Sequence, residues 1–381
     1  MNSEKRVVLF LTKWYPNDED PQLGVFIQKQ ALALQHDFNV FVLCVQSDAK
    51  SKGNKIFWNK NQKISEVCVQ YSSSAIKTYR LVQNINAWNT GIQAIEKVAG
   101  KIDIIHAHIL LRPAWIALRA AASRNIPFFI SEHWTGFATG AYKRKNALYK
   151  QLSKRVCSKA KAVAVVSEQL KMSMRNNGIE ANYHVIPNVV EFSNQVKRVS
   201  HNASKKIILT VADLYDANKN ISASIRAMSE IAKERADFEF HIIGGGPDEV
   251  KLHQLSDKLG LRNVVVFFHG RLPNNEVLSY IPSCHFLLIN SRIETFSVSA
   301  IEALVSGKPV LTTICGGPEN FIHKGNGLTI EQDDSAELIR SIHFMLDHHQ
   351  QYDSSVISNE IKETYSPLKI AEQISNMYAQ I

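Results

Sequence analysis

The sequence predicts an α/β protein made of two Rossmann-like domains, for three reasons. Strand-like and helix-like segments alternate in two successive series, which is the pattern of parallel sheets covered by helices on both faces. At 381 residues the chain exceeds the size at which a single hydrophobic core usually divides into domains. Residues 191–204 form a polar stretch between the two series and are interpreted as the linker.

The first series predicts an N-terminal domain at residues 1–190. Its strands are short apolar runs bounded by polar segments, and helical periodicity fills the intervals between them. The predicted strands are 6–12, 38–45, 64–71, 102–107, 128–132 and 162–167. The predicted helices include 25–35, 81–98, 113–123 and 142–158.

The second series predicts a C-terminal domain at residues 205–366. Its predicted strands are 206–211, 238–243, 264–268, 286–290 and 309–312. A final helix is expected at residues 367–381, after a proline break. Because ligands of open α/β sheets bind beyond the carboxyl ends of the strands, we expect the two domains to face a central cleft lined by both.

The composition limits the compartment and the partners. The net charge is +9, which favours a polyanionic neighbour such as nucleic acid, anionic lipid or an acidic glycan. The five cysteines are odd in number and lack CxxC spacing, so they indicate reduced thiols and a cytoplasmic protein. The apolar run at residues 7–11 is too short for a signal peptide, and no run approaches the roughly 20 apolar residues of a spanning helix. We therefore expect any membrane contact to be peripheral.

The segment at residues 286–310 carries the strongest functional pattern. Glu294 follows a predicted strand, and Glu302 lies eight positions later in a predicted helix, about two turns on and near the same face. The backbone N–H groups of the first helical turn lie between them and have no intrahelical acceptor, which favours an anion. The pattern predicts a ligand that combines a diphosphate with hydroxyl-rich sugars.

This Glu-x7-Glu pattern is followed by Gly307-Lys308-Pro309-Val310 and by Gly316-Gly317-Pro318-Glu319. Together these motifs resemble the donor-site signature of the retaining glycosyltransferases of family 4. The resemblance extends over nearly the whole chain and is densest at residues 270–319. It implies the GT-B fold, an N-terminal domain that binds the acceptor, a C-terminal domain that binds the donor, and a terminal helix that crosses back to the first domain.

The resemblance also implies roles at the donor site. Glu294 would contact the donor sugar, and Glu302 would bind the ribose. Backbone N–H groups of Phe296, Ser297 and Val298 would bind the diphosphate.

A phosphate-binding lysine is implied at Lys219, which follows the strand 206–211 and is expected to open the next helix at Asn220. The chain departs from the family at Asp213, where an arginine is usual. Either phosphate binding is weaker than usual, or another basic residue such as Arg292 takes the place of that arginine.

Four further positions complete the predicted site. Gly245, in a Gly-Gly-Gly-Pro run, is implied near the nucleotide, and Arg271 is either a nucleotide contact or a solvated loop arginine. In the first domain, Gly24 resembles the family glycine that approaches the donor phosphate. His133 resembles the histidine that hydrogen-bonds the donor sugar. The predicted catalytic residues are thus His133, Glu294 and Lys219.

The nucleotide sugar is expected as a co-substrate, and no metal or other cofactor is expected in addition to it. His106 and His108 end a strand and either hold a loop or line the acceptor pocket. They are not expected to bind a metal, because no third ligand with suitable spacing lies nearby. Asp18 and Asp20 have the Asp-x-Asp spacing of a metal site in another glycosyltransferase fold, but they are interpreted as a solvated loop.

The stretch at residues 142–161 is basic and contains no acid. Leu148, Leu152 and Val156 recur at four-residue spacing and form an apolar stripe. The segment is either a surface helix with a solvated basic face or a helix that rests on anionic lipid at the inner face of the cytoplasmic membrane. Nucleic acid is not expected as a partner, because no aromatic residues interleave with the charge.

The resulting prediction is a retaining hexosyltransferase that moves a sugar from a nucleotide-diphosphate sugar to a glycan or lipid-linked acceptor. Its expected setting is cell-envelope polysaccharide or lipopolysaccharide synthesis. Two alternatives remain at this point. One is another GT-B enzyme, such as a nucleotide-sugar epimerase; the other is a sugar-nucleotide-binding partner subunit with weakened catalysis, which Asp213 favours.

Overall fold

The computed structural model describes residues 5–17, 20–48, 51, 53–61, 64–110, 112–190 and 205–380. The predicted linker at residues 191–204 lies outside the described residues. The chain divides into two compact units, Met1–Val189 with Pro367–Ile381, and Val190–Ser366.

An eight-stranded sheet forms the centre of the first unit. Its strands are β1 (Val7–Thr12), β2 (Asn39–Ser47), β3 (Asn54–Asn61), β4 (Ile64–Tyr71), β5 (Ile104–His108), β6 (Phe128–Glu132), β7 (Val163–Val165) and β8 (Tyr183–Val185). They lie in the order β3-β4-β2-β1-β5-β6-β7-β8, and neighbours are parallel except β3 with β4. Every residue of β1 is buried, as a parallel sheet covered on both faces requires.

Five helices of the first unit connect these strands. They are α1 (Val25–Leu34), α2 (Lys77–Ala99), α3 (Arg112–Arg124), α4 (Ala147–Lys159) and α5 (Glu168–Asn176). Helix α4 begins five residues later than residue 142, where the sequence placed it. The Asn146 side chain accepts a hydrogen bond from the Tyr149 N–H at 2.9 Å, so it caps the helix at this point.

The second unit is built around a six-stranded parallel sheet. Its strands are β9 (Lys206–Val211), β10 (Phe238–Ile243), β11 (Val266–Phe268), β12 (Phe286–Ile289), β13 (Val310–Thr313) and β14 (Gly327–Ile330), in the order β11-β10-β9-β12-β13-β14. Its helices are α6 (Asp216–Lys219), α7 (Ile221–Ile231), α8 (Glu249–Lys258), α9 (Asn274–Tyr280), α10 (Val298–Val305), α11 (Ser335–His348) and α12 (Ser354–Tyr365).

The last helix, α13 (Pro367–Tyr378), packs on the first unit beside α1. Tyr378 is fully buried there, with its ring 5.5 Å from that of Phe38 and 4.9 Å from that of Phe129. The prediction that the terminal helix returns to the first domain is therefore confirmed.

Three strands were not predicted from the sequence: β3, β8 and β14. All three are edge strands of their sheets. β3 is exposed over Asn54–Lys60 and mixes lysine and asparagine with three apolar residues, so its pattern lacks the apolar run of a buried strand. β8 and β14 have only three and four residues, which is too short for a periodic signal.

The structure describes the state of the cysteines and the length and polarity of the helices. All five cysteines are free thiols. No helix in the described part of the chain is both long and apolar enough to span a bilayer. In α4, Leu148 is 73% exposed whereas Val156 is 1% exposed, so the predicted apolar stripe is divided between solvent and the interior.

Candidate functional site

Glu294 and Lys219 form an ion pair in the second unit. Glu294 lies in the loop between β12 and α10, and its Oε1 accepts hydrogen bonds from Lys219 Nζ at 2.5 Å and from Ser291 Oγ at 2.8 Å. Its N–H donates to the Cys315 carbonyl at 2.8 Å, which anchors the loop. Burial pushes the pKa of Lys219 down, but the Glu294 charge outweighs burial and the net pKa is raised. Lys219 is therefore a cation at neutral pH.

Lys219 does not open the following helix, as the sequence suggested. It is the last residue of the one-turn helix α6, and α7 begins two residues later. Asn220 separates the two with φ +51, and its N–H donates to the Asp216 carbonyl at 2.9 Å. The Asp216 carboxylate accepts the Ser222 N–H at 2.8 Å in the first turn of α7. A left-handed asparagine thus ends one helix and positions Lys219 just before the next.

The N-terminus of α10 carries no cap of its own. Ser297 is its N-cap residue in the left-handed region, at φ +73, and makes no side-chain capping bond. No acid lies in the first turn. Phe296 is 4% exposed and packs its ring 5.6 Å from that of Phe321. The uncapped turn, which begins at Val298, leaves a positive helix end for an anion, and such backbone strain concentrates at ligand-binding loops.

Glu302 lies in α10 and is only 3% exposed. Its Oε1 accepts a hydrogen bond from Asn274 Nδ2 at 3.2 Å. A buried carboxylate is costly unless donors satisfy it, so Asn274 orients as well as stabilises this acid. Sequence analysis did not identify Asn274, since it lies 28 positions away and no motif marks it.

A third carboxylate is held by backbone donors in the loop after β13. Glu319 accepts hydrogen bonds from the N–H groups of Cys315 at 3.3 Å, Gly316 at 2.6 Å and Gly317 at 3.0 Å. A Cβ on Gly317 would lie 2.7 Å from the Phe296 nitrogen. The Gly-Gly-Pro-Glu turn therefore closes on its own acid and supports the loop at Phe296. The sequence motif indicates the family but does not predict this role.

Arg292 does not act as a free substitute for the missing family arginine. Its Nη2 is 2.8 Å from Asp333 Oδ1, and its Nη1 donates to the Asp216 carbonyl at 3.4 Å. These contacts already use its guanidinium. Lys219, which pairs with Glu294, stays the predicted phosphate-binding cation.

Gly245, Arg271 and Asp213 meet at the carboxyl ends of β10, β11 and β9. Arg271 Nη2 donates to the Gly245 carbonyl at 3.3 Å and lies 3.6 Å from Asp213 Oδ1. The Asp213 side chain is 78% exposed, so this pair is weak. A Cβ at Gly245 would come no closer than 3.4 Å to any atom, whereas its neighbour Gly244 would meet the Ala212 carbonyl oxygen at 1.8 Å. The backbone of Ala212 therefore leaves no room for a side chain at Gly244, whereas Gly245 has that room.

His133 follows β6 in the first unit and is 8% exposed. Its ring lies 4.4 Å from that of Phe26 and 6.1 Å from that of His108. Burial lowers the pKa of His133 to about 3, and a hydrogen bond to Asn188 partly opposes the shift. At neutral pH the imidazole is uncharged and serves as a hydrogen-bonding group rather than a cation.

The neighbouring His106 has structural hydrogen bonds, whereas both ring nitrogens of His108 are buried without a hydrogen-bond partner in the described structure. His106 is fully buried between the Tyr378 hydroxyl at 2.5 Å from Nδ1 and the Ser131 hydroxyl at 2.8 Å from Nε2, so it ties α13 to the sheet. Within the part of the chain that the structure describes, no group of three or more His, Cys, Asp or Glu residues could hold a metal ion. Asp18 lies outside the described residues, so the structure does not test its spacing with Asp20 as a metal motif.

Gly24 precedes α1 with φ +70. A Cβ at this position would lie 2.2 Å from the Trp14 carbonyl oxygen, so the loop after β1 closes against it. The N-terminus of α1 has no side-chain cap and no acid in its first turn.

Two family models account for most of this chain. Residues 24–194 match the model described as Glycosyltransferase Family 4, and residues 191–362 match the model described as Glycosyl transferases group 1. The chain belongs to the family 4, group 1 glycosyltransferases. The predicted GT-B class, with two α/β domains and parallel sheets, is likewise confirmed.

Individual proteins support the same assignment. The glycosyltransferase is 22% identical over 376 residues to the putative teichuronic acid biosynthesis glycosyltransferase TuaC of Bacillus subtilis, covering 94% of this chain and 93% of that protein. Its fold is similar to sucrose-phosphate synthase of Thermosynechococcus elongatus, with a TM-score of 0.79, 17% identity and 99% coverage of both chains. It is also similar to HepE of Anabaena in complex with UDP-glucose, with a TM-score of 0.72, 16% identity and coverage of 98% and 100%.

In this glycosyltransferase, most of the predicted site residues lie in the second unit. Those residues are Lys219, Gly245, Arg271, Glu294, Phe296, Ser297, Val298 and Glu302. Gly24 and His133 lie in the first unit. The direct contacts found are Lys219 with Glu294 and Gly245 with Arg271. Their roles toward a donor stay predictions.

Replacing Gly24 with alanine should destabilise the first unit of the glycosyltransferase by about 2–4 kcal/mol. Left-handed backbone costs a non-glycine residue roughly 1–2 kcal/mol, and contact with the Trp14 carbonyl adds to that cost. Urea unfolding followed by tryptophan fluorescence measures this, because all five tryptophans lie in the first unit. Gly140→Ala is the control, since Gly140 lies in the same unit and has φ +74 with nothing within 4 Å. Equal losses in the two variants would contradict the predicted contact.

Acidification should also destabilise the first unit. Burial lowers the pKa of His106 and His133 to about 3, so both imidazoles stay neutral in the folded protein. In the unfolded chain they take up protons below about pH 6.5, so the free energy of unfolding is fully retained above that pH and decreases as the pH falls toward 3. Each of these histidines lowers the free energy of unfolding by up to about 1.4 kcal/mol per pH unit. Glu132 acts in the opposite direction, because burial raises its pKa from 4.5 to about 7 and the folded state takes up its proton first. Below about pH 4.5 this compensation ends and the fall steepens.

The same fluorescence-monitored unfolding between pH 7 and pH 4 tests this expectation. His36→Gln is the control, because the His36 side chain is 83% exposed and the variant should follow the wild type. A free energy of unfolding that stays constant across this range would show that the three buried groups do not titrate as their burial requires.

Proposed function

We propose that this glycosyltransferase moves a hexose, with retention of anomeric configuration, from a nucleotide-diphosphate sugar to a glycan or lipid-linked acceptor. The observation that carries the proposal is the Lys219–Glu294 pair, at 2.5 Å, because Glu294 lies in the loop that leads into the uncapped N-terminus of α10. A fixed cation and a helix N-terminus suit a leaving diphosphate, and a carboxylate suits sugar hydroxyls.

The proposed chemistry uses these groups as follows. The acceptor oxygen forms a bond to the anomeric carbon on the same face from which the diphosphate departs; the bond from that carbon to the diphosphate oxygen breaks, and the hydroxyl proton passes to the departing diphosphate. Negative charge develops on the departing diphosphate, where Lys219 and the N–H groups of the first turn of α10 stabilise it. Glu294 orients the transferred sugar, and Glu302 accepts hydrogen bonds from the ribose. No metal or further cofactor takes part in this proposal.

The first unit contributes a neutral hydrogen-bonding group in the proposal. Burial keeps the pKa of His133 near 3, so the imidazole stays uncharged at neutral pH. A neutral imidazole binds a sugar hydroxyl without adding charge. We propose that His133 contacts the donor sugar in this way.

The similar proteins support the setting. TuaC is named for teichuronic acid synthesis, and HepE was solved with UDP-glucose. We therefore propose a uridine-diphosphate sugar as the first donor class to examine and cell-envelope polysaccharide or lipopolysaccharide as the pathway. The proposed place of work is the cytoplasm, with contact at the membrane surface through residues 142–161.

The test needs no acceptor. Calorimetric titration with UDP and with GDP identifies the base, and slow hydrolysis of the matching sugar donor is then followed by NMR. The first anomer of sugar released should have the configuration of the donor. Release of the opposite anomer would refute retention.

One alternative function is favoured by a specific observation, the acid at Asp213. If neither nucleotide binds, and Asp213→Arg restores binding, the chain is a weakened nucleotide-binding partner rather than a competent transferase. The exposed position of the Asp213 side chain argues against such interference, since it is 78% exposed and lies 3.6 Å from Arg271. A nucleotide sugar epimerised without any acceptor would instead indicate an epimerase.

A further inference from the structure

A cavity of about 1030 Å³ opens in the first unit beyond the carboxyl ends of neighbouring parallel strands. Its walls include Lys13 after β1, Ser47 at the end of β2 and Tyr71 at the end of β4. Ligand pockets hold roughly 300–1,000 Å³ and lie at this edge of open α/β sheets. Leu23, the residue before Gly24, also lines the cavity. The cavity is thus large enough for a sugar acceptor and lies beside a predicted site residue.

The charge of the cavity is strongly one-sided. Among its described lining residues, the cations are Lys13, Lys77, Arg80 and Arg112, and the one acid is Asp48. None of these cations forms an ion pair with a described residue. Cations gathered in a concave site raise the local concentration of anions. The cavity therefore favours a ligand that carries negative charge.

Helix α2 adds to this preference. Its first turn lines the cavity through Lys77, Thr78 and Arg80. Its N-cap residue is Ile76, which makes no capping bond, and the first turn contains no acid. The open N–H groups and the positive end of the helix dipole are therefore available to an anion.

Two buried polar groups further along α2 point to a ligand independently of charge. The Asn84 side chain lines the cavity, is only 5% exposed and makes no hydrogen bond with a described residue. Trp88, one turn later, also lines the cavity, and its Nε1 has no hydrogen-bond partner in the described structure. Buried polar groups normally have partners. Hydroxyl groups of a bound sugar would supply them.

We propose that this cavity is the acceptor site, and that it takes a hydroxyl-rich sugar bearing an oxyanion, either a carboxylate or a phosphate. The cations and the N-terminus of α2 bind the oxyanion, and Asn84 and Trp88 bind hydroxyl groups. The inference rests on the proposed glycosyl transfer and names the chemical class of its acceptor.

Binding of three probes to the full chain tests the proposal. Glucuronate, glucose 1-phosphate and glucose are titrated separately at low salt, and dissociation constants are measured by ligand-observed NMR. At least one anion should bind about tenfold more tightly than glucose. The two anions distinguish a carboxylate from a phosphate acceptor. The Lys219→Ala background weakens any binding of these probes at the phosphate-binding part of the donor site, and the preference for the anion should persist there.

Two variants locate the binding. Arg80→Gln should weaken binding of the preferred anion roughly fivefold to tenfold, since it removes one charged donor from a partly solvated site. Lys97→Gln is the matched control, because Lys97 is an exposed cation on the same helix but does not line the cavity. Arg80 is exposed, so its replacement leaves the core intact.

Equal binding of glucose and both anions, or wild-type binding by Arg80→Gln, would overturn the proposal. Titration with UDP in the same samples keeps the two conclusions separate. If only the cavity assignment fails, UDP still binds and depends on Glu302. If the proposed transfer fails, UDP does not bind even though the anionic sugars do.

Discussion

Glu302→Ala is expected to weaken binding of the nucleotide by about tenfold to a hundredfold. A hydrogen bond to a charged group contributes roughly 1.5–3 kcal/mol, and each 1.4 kcal/mol is a factor of about ten in affinity. Glu302 is 3% exposed and already oriented by Asn274, so the ribose would meet a carboxylate that needs no rearrangement. Calorimetric titration with UDP or GDP measures the change.

Three further variants sharpen this test. Glu302→Gln keeps the shape and one acceptor, so its affinity should fall between those of the wild type and the alanine variant. Asn274→Ala leaves the carboxylate in place but less well oriented, so we expect a loss of about threefold. Glu331→Ala is the control, because Glu331 is an exposed acid of the same unit. Undiminished binding by Glu302→Ala would exclude a ribose contact.

Lys219→Ala is expected to reduce kcat/KM for the donor by about a hundredfold to a thousandfold. Removing one preorganised group that stabilises developing charge typically has an effect of this size. The Glu294 charge keeps the pKa of Lys219 raised against the effect of burial, so the wild-type cation is present throughout the working pH range. Donor hydrolysis or transfer, followed by release of the nucleotide, measures the loss.

A double-mutant cycle separates the two roles that Lys219 could have. If Lys219 only positions Glu294, then Lys219→Ala has no further effect on UDP affinity in the Glu294→Gln background. If it binds the diphosphate, UDP affinity falls in both backgrounds, and we expect this second result. Lys233→Ala is the control, since Lys233 forms an exposed pair with Glu230 just after α7. Loss of activity in that control would point to a general charge effect.

Many elements that place the site could be predicted from local pattern. β4, β6, β9 and β10 begin and end where the apolar runs predicted. Glu294 lies in the loop after β12 and Glu302 lies in α10, as the strand–loop–helix pattern indicated. Such elements are local, because the burial of each face follows from the period of apolar residues. The family followed from motif spacing in the same way.

Contacts between distant residues could not be predicted. The bond of Asn274 with Glu302 spans 28 positions, and that of Lys219 with Glu294 spans 75. Arg292 was considered as a phosphate-binding base, yet its nearest acid is Asp333, at 2.8 Å. Spacing along the chain carries no signal for such pairs, because they depend on which loops the sheet order brings together.

The sequence by itself determined the α/β class, the two-domain plan, the family and the position of the two glutamates. Those features depend on periodicity, length and motifs, which are properties of adjacent residues. Only the tertiary structure decided that Lys219 ends a one-turn helix beside Glu294, and that Glu319 is held by its own turn. It also decided that cations from the loop after β1 and from α2 and α3 line one cavity. Strand order and loop packing bring these groups together, and neither is written in any single segment of the chain.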